Sequence, residues 1–406
     1  MAVGEAVWPE MYPIKGLKIG VAQAGVKYEG RNDVVVFSLC EGAHVAGVFT
    51  QNAFAAAPVI VAKRHLLASN TRALVVNSGN ANACTGDEGM VGAELSCTAL
   101  AKELGVKPES VLPFSTGVIG EPLPVNKIID VLPAAVASVQ EDNWLAAART
   151  IMTTDTRPKG ASKKIDVNGD TIHVVGISKG AGMIRPNMAT MLAYVATDAD
   201  VDPALLQSMT KIAADKSFNR ITIDGDTSTN DACMLMATGQ SCAAKITSVH
   251  DEGYQLLLNA TIEVFHELAK HIVCDGEGAT KCVCVDVGGG ENAQECLDAA
   301  YAIAHSPLVK TAWFASDANW GRIVAAIGYA GIPGLNAANV NVWLNDVKIV
   351  ESGCRSASYT EAQGQHILSL AEFTVRVDLG RGEYSESIWT SDLSHEYVRI
   401  NADYRS

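Results

Sequence analysis

The sequence predicts a mixed α/β (α+β) protein in which layered sheets pack against helices. Three observations carry this. Nearly half of the 406 residues are apolar (48%), enough for a large buried core. Strand patterns and helical patterns intermix without strict βαβ alternation, which disfavours a doubly wound sheet. No repeat period and no low-complexity segment is visible. The length allows two domains or one large two-lobed unit.

The elements follow in order. Asp33–Leu39, Val45–Thr50, Val59–Ala62 and Ala73–Asn77 read as strands from their β-branched, apolar runs. A polar loop, Ser78–Gly86, leads to a helix at roughly Glu88–Leu104, where Met90, Ala93, Leu95, Leu100, Ala101 and Leu104 form an apolar stripe. Ser110–Ser115 reads as a strand ending in a tight polar turn, Thr116–Gly120. Helical patterns fill Val125–Val139 and Trp144–Ile151. Asn168-Gly169 is a strong hairpin signal and pairs Lys164–Val167 with Thr171–Val175.

Beyond the middle of the chain come a strand at Ala193–Thr197 and a helix from Pro203 to about Lys216, with proline in the first turn. Arg220–Asp224 and Ala232–Ala237 read as strands around a polar turn. A long helix runs from about Tyr254 to Val273, and a strand covers Lys281–Val287. Helical patterns return at Asn292–Ala304, Pro307–Phe314 and Asn319–Tyr329. The tail from Asn339 reads as mostly β.

Composition narrows the function. Lys+Arg of 31 against Asp+Glu of 45 gives a net charge of −14, and no basic block stands out. That argues against nucleic acid as a partner. The start, Met1 to Glu10, lacks a basic segment followed by an apolar one, so no secretory signal is expected. No apolar run reaches the roughly 18 residues of a membrane span. A cytoplasmic protein is the expectation. The ten cysteines include no C-x-x-C and read as free, mostly buried thiols.

One stretch stands out: Ser178-Lys-Gly-Ala-Gly-Met-Ile-Arg-Pro-Asn-Met-Ala-Thr-Met-Leu192. Gly180 and Gly182 permit unusual backbone angles, and Pro186 holds Arg185 extended. The loop ends at Ala189-Thr190, where a strand begins. One reading is a buried loop with Met183, Met188, Met191 and Leu192 as core. The other makes Thr190 a masked nucleophile. Cutting the Ala189–Thr190 bond would give Thr190 a free α-amine beside its hydroxyl, so one residue would supply both base and attacker. Such an amine titrates at about 7.7–8.0, near working pH.

The run Lys179 to Leu192 resembles the self-cleavage segment of the ornithine acetyltransferases of arginine biosynthesis, the bifunctional glutamate N-acetyltransferase (ArgJ) family. Matching segments extend over essentially the whole chain. The resemblance implies a DmpA/ArgJ-like fold, self-cleaved between Ala189 and Thr190 into interlocked chains, 1–189 and 190–406. It implies acetyl transfer from N²-acetylornithine to glutamate through an acetylated Thr190, with no metal or organic cofactor. Acetyl-CoA enters as a further donor that the motifs neither require nor exclude. The implied assembly holds two alpha and two beta pieces, or more.

Residue by residue, the resemblance makes Thr190 the nucleophile and Thr116 with Gly117 the oxyanion hole. A hydroxyl and an unobstructed N–H suit that task chemically; one such donor is worth about 3–4 kcal/mol. Lys179 is the candidate cation for a substrate carboxylate. Glu277, between Gly276 and Gly278, is the candidate acid for an ammonium. Thr153, Asn401 and Ser406 match the remaining substrate contacts, together with Thr190 itself.

Rival patterns are weaker. Gly176-Ile-Ser178-Lys-Gly180 matches the serine-hydrolase elbow, but that motif needs a helix directly after the serine. His266 and His271 are five apart, about 140° around a helix, whereas a zincin needs i,i+4. Gly288–Gly290 does not complete a dinucleotide fingerprint. Asp224, Asp226 and Asp231 lack calcium-loop spacing and read as a structural turn. The alternative functions are an N-terminal-nucleophile amidase or aminopeptidase of the same fold, a serine hydrolase using Ser178, and an acidic binding module.

Overall fold

The computed structural model describes residues 2–5, 7–185 and 191–403. Thr190, Ala189 and Ser406 lie outside the described residues. The chain opens with β1 (Leu17–Ala22), β2 (Val34–Leu39), β3 (His44–Phe49) and α1 (Ala57–Ala68). Next come β4 (Ala73–Asn80), α2 (Gly86–Leu104), β5 (Val111–Val118), α3 (Val125–Ala137) and α4 (Trp144–Thr150). The hairpin β6 (Lys159–Val167) and β7 (Asp170–Lys179) leads into the central loop. Past it stand β8 (Leu192–Thr197), α5 (Pro203–Asp215), β9 (Ile221–Thr222), β10 (Ala232–Ala237) and α6 (Glu252–Cys274). The last part holds β11 (Cys282–Gly290), α7 (Ala293–Ala304), α8 (Pro307–Phe314), α9 (Trp320–Gly328), β12 (Asn341–Leu344), β13 (Val347–Glu351), β14 (Cys354–Arg355), α10 (Glu361–Leu368), β15 (Glu372–Asp378), β16 (Tyr384–Ser391) and α11 (His395–Ala402).

Among the described residues three mixed sheets result, in the orders β1-β2-β4-β5, β3-β10-β8-β7-β6 and β14-β13-β12-β15-β11-β16-β9. The period-2 alternation of the strands explains how they stack. Val34 and Val36 of β2 pack with Cys97 and Leu100 of α2 and Leu132 of α3. Their neighbours Val35 and Phe37 face the other way, toward Val175, Ile177, Tyr194 and Met234 of the second sheet. There the Phe37 and Tyr194 rings lie 4.9 Å apart, with Phe114 edge-on to Tyr194 at 5.4 Å. The opposite face of the second sheet, including Val174, Val195 and Leu235, packs on Leu206 of α5 and Val264 and Phe265 of α6. The order is thus helices, sheet, sheet, helices. The third sheet builds a separate core with α7, α8 and α9.

The hairpin forms as the sequence requires. Val167 pairs with Asp170, and Asn168 (φ 57°) and Gly169 (φ 90°) make the two-residue turn with both φ positive. Three expectations are corrected, and a fourth holds with an addition. Val59–Ala62 belongs to a helix, α1, with a proline in its first turn and Val59, Val61, Ala62 and His65 buried. Strand β5 continues through Thr116, Gly117 and Val118, where a turn was expected, because Ser115–Gly117 pair alongside Asn77–Gly79 of β4. Only Ile221 and Thr222 of the 220–224 run form a strand. The tail from Asn339 is mostly β, in β12 to β16, and also contains two helices that the sequence reading did not expect, α10 with a Thr360/Gln363 capping box and α11 capped by Ser394.

All ten cysteines are free; Cys97, Cys233, Cys274, Cys282 and Cys296 are buried, whereas Cys84, Cys242 and Cys354 are exposed. Among the described residues, no helix is long and apolar enough to cross a membrane.

Candidate active site

A cavity of about 270 Å³ opens where the first two sheets and the C-terminal helix meet. Thr116, Gly117, Thr153, Lys179, Glu277 and Asn401 all line it, so every described residue of the expected site converges there. A neighbouring cavity of about 180 Å³ shares Gly117, Val118, Thr153 and Thr154 with it.

Thr116 and Gly117 reach the cavity from β5. Gly117 has φ 138°, and a Cβ there would fall 2.3 Å from the Gly79 carbonyl carbon. No side chain fits, so the backbone itself forms the wall. Lys179 stands at the end of β7. Its Nζ donates to Thr153 Oγ1 at 2.7 Å and to Thr116 Oγ1 at 3.3 Å. Both hydroxyl oxygens therefore act as acceptors, which leaves their protons for another partner. Burial lowers the Lys179 pKa, while Asp155, Glu277 and Asp231 pull it back up.

Glu277 lies in the turn after α6. Its backbone N–H donates to the Ala181 carbonyl at 2.7 Å, which docks the turn on the central loop. Its carboxylate accepts from Asn401 Nδ2 at 2.7 Å. Gly182 lies against that carboxylate: a Cβ at residue 182 would meet Glu277 Cδ at 2.5 Å. Gly278 (φ 69°) lets α11 approach, since a Cβ there would fall 2.6 Å from the Tyr397 nitrogen. Ser394 Oγ donates to the Gly278 carbonyl at 2.6 Å. Helix α11 so carries Asn401 to the cavity.

The central loop is held from below. Asp224 accepts from the Met183 N–H at 2.6 Å and the Ile184 N–H at 2.9 Å, and Tyr397 Oη donates to it at 3.2 Å. Thr222 Oγ1 and the Ile223 N–H both donate to the Ile184 carbonyl. On the far side, Met191 is buried and its carbonyl accepts from the Ala232 N–H. Met183, expected in the core, is 40% exposed and lines the cavity instead.

Sequence reading placed Asp224 in a structural turn without seeing what the turn holds. Asp155 and Asn230 were missed as well. Asn230 lines the cavity and donates to the Ala81 and Ser115 carbonyls. The Thr153-Thr154-Asp155 run offered a signal for Asp155; nothing in the local pattern marks Asn230. Ser178 is buried on β7 with Oγ 3.5 Å from the Leu268 carbonyl, away from the cavity lining. Among the described residues, no group of three His, Cys, Asp or Glu side chains is arranged to hold a metal.

Chemically, a cavity that offers one cation, one carboxylate, four hydroxyls and two amides suits a small amino-acid-like molecule. Sheets layered between helices define a layered α/β protein with a polar cavity at the junction of its first two sheets. The model of the ArgJ family matches residues 18–406, and the chain belongs to that family. It is 57% identical over 406 residues to the arginine biosynthesis bifunctional protein ArgJ of Pseudomonas syringae pv. tomato, covering 100% of each. It is 54% identical over 407 residues to the ArgJ protein of Psychrobacter arcticus, again covering 100% of each. Among solved structures, an ArgJ protein of Bacillus halodurans is 36% identical, with a TM-score of 0.48, covering 50% of this chain and 95% of that one.

Proposed function

We propose that this chain is a self-processing N-terminal-threonine acetyltransferase of arginine biosynthesis, which moves acetyl from N²-acetylornithine to glutamate. The observation that carries the reading is the convergence of Thr116, Gly117, Thr153, Lys179, Glu277 and Asn401 on one cavity. These residues come from segments almost 300 positions apart, and chance packing does not gather a family's expected contacts. The relatives' description as bifunctional supports acetyl-CoA as a second donor for glutamate.

In the first step the Thr190 hydroxyl attacks the Ala189 carbonyl carbon. The peptide C–N bond breaks, an ester forms, and the threonine nitrogen takes the proton. Water then hydrolyses the ester, leaving a carboxylate on 189 and a free amine on 190. In turnover that amine accepts the Thr190 hydroxyl proton while the oxygen attacks the acetyl carbonyl of N²-acetylornithine. Thr116 and Gly117 receive the developing oxyanion. Ornithine leaves with the proton, glutamate enters, and its amine takes the acetyl group. Lys179 faces the α-carboxylate and Glu277 with Asn401 the far end of the substrate. Ser406 completes the contacts at the chain end.

The pieces 1–189 and 190–406 stay associated, in an assembly of two of each or more, in the cytoplasm. Denaturing mass spectrometry of active protein should give two fragments, the second beginning at Thr190. The Thr190→Ala protein should remain one chain and be inactive. A single intact chain in active protein would end the reading. Acyl release to water alone, unchanged by glutamate, would make the protein an amidase.

A further inference from the structure

Three charged side chains stand behind the cavity lining, and Lys179 reaches them from the lining itself. Lys159 Nζ lies 2.5 Å from Asp155 Oδ1 and 2.6 Å from Asp275 Oδ2, and all three side chains are 0–1% exposed. Asp155 does more than pair. Its Oδ1 accepts from the Gly180 N–H at 2.7 Å, and its Oδ2 accepts from the Thr153 N–H at 3.1 Å. That Oδ2 also lies 4.0 Å from Lys179 Nζ. Asp275 accepts from the Thr156 N–H at 3.0 Å and from its hydroxyl.

Three chain segments therefore meet on this cluster, and each carries a site residue: 153–159 carries Thr153, 179–180 carries Lys179, and 275–277 carries Glu277. Two carboxylates balance two ammonium groups, so the cluster is neutral with Lys179 included and Glu277 remains for a substrate cation. A structural ion pair would need neither the second carboxylate nor the backbone contacts at the site's own residues.

We infer that Asp155, Lys159 and Asp275 are positioning residues, a buried ionic hub that sets Lys179, Thr153 and Glu277 relative to one another, with Asp155 holding the charge on Lys179 against Lys159. The inference rests on the acetyltransferase reading for its assay. The charged groups that face Lys179 are Asp155, Lys159, Glu277 and Asp231. Asp155 and Lys159 act on it with opposite sign, and this gives the test.

Asp155→Asn keeps the shape and the acceptor for Gly180 but removes the carboxylate that faces the ammonium. Lys179 then sheds its proton more readily. Its charge is present below its pKa and lost above, so the alkaline limb of kcat/KM for the acetylated amino acid should move down by about one pH unit or more. At neutral pH, kcat/KM should fall about tenfold. The double variant Lys159→Met/Asp275→Asn removes one charge of each sign and takes away the repulsive neighbour. Its alkaline limb should move up. Each variant is first checked for melting temperature and, by mass spectrometry, for the two fragments.

Opposite movements of the limb establish the positioning role. Limbs fixed at the wild-type position, or failure of both variants to fold, would reduce the hub to a structural element and overturn the inference. Should Asp155→Asn alone fail to fold, the direction taken by the double variant decides. Wild-type protein without transfer activity would instead refute the proposed function, an outcome distinct from an active wild type with unmoved limbs.

Discussion

Gly182 offers a sharp test of the pocket geometry. Its φ is outside the left-handed region, so alanine adds no backbone strain there. The added methyl would sit 2.5 Å from Glu277 Cδ and Oε2 and 2.6 Å from Oε1. Ordinary contact begins near 3.4 Å, so the carboxylate must retreat by about 1 Å, a distance on the scale that spoils positioning. A carboxylate at the end of a side chain can move where backbone cannot, so the protein should fold. The retreat breaks the 2.7 Å bond from Asn401 and withdraws the charge from the cavity. A hydrogen bond to a charged group contributes about 1.5–3 kcal/mol. Gly182→Ala should therefore raise KM for the amino-acid substrates roughly 10- to 100-fold, taking 1.4 kcal/mol per factor of ten, with a small change in melting temperature. Steady-state kinetics on preparations matched for fragment content would measure it. An unchanged KM in a well-folded Gly182→Ala protein would show that Glu277 does not hold substrate.

Two further outcomes follow from other parts of the fold. Asp224→Ala removes the acceptor for the Met183 and Ile184 N–H groups, so newly made protein should cut itself at least tenfold more slowly, followed by the ratio of intact chain to fragments with time; cutting at the wild-type rate would mean the loop needs no such clamp. Lys310 is buried on α8, donates to Thr390 Oγ1 and the Ser391 carbonyl, and burial pushes its pKa from 10.5 down to about 8. The unfolded chain then binds the extra proton between those values, so wild type should gain stability relative to Lys310→Met as pH rises from about 8 to about 10.5. The gain should total about 3 kcal/mol, read by urea unfolding at several pH values; a difference independent of pH would refute the buried, depressed lysine.

What was legible in the sequence was local. Asn168-Gly169 requires positive φ at both turn residues, and few other residues accept that, so the β6–β7 hairpin could be read together with its register. Long periodic segments such as α2 and α6 were equally plain. Val59-Ile60-Val61 misled because a short apolar β-branched run has no period of its own; the helix is decided by Pro58 in the first turn and by burial of His65, six residues on. Helix α11 was hidden by its weak apolar stripe, although Ser394 marked its start. The site residues were visible only through the resemblance. Lys179, Glu277 and Asn401 are unremarkable in their own neighbourhoods and become a set when the α6 turn docks on Ala181. The hub beneath them stayed invisible because Lys159 and Asp275 are 116 positions apart, and no local rule pairs residues at that distance.

The strand order of the second sheet has a consequence for the life of the molecule. β8 and β10 lie side by side, flanked by β3 on one side and by β7 and β6 on the other. If the bond before Thr190 opens, the inner two strands belong to one product and the outer three to its sibling. The products are then threaded through each other like warp and weft. Neither can be swapped for a fresh copy without unravelling the middle of the protein, so each working molecule keeps, for its whole lifetime, the two halves of a single translation event.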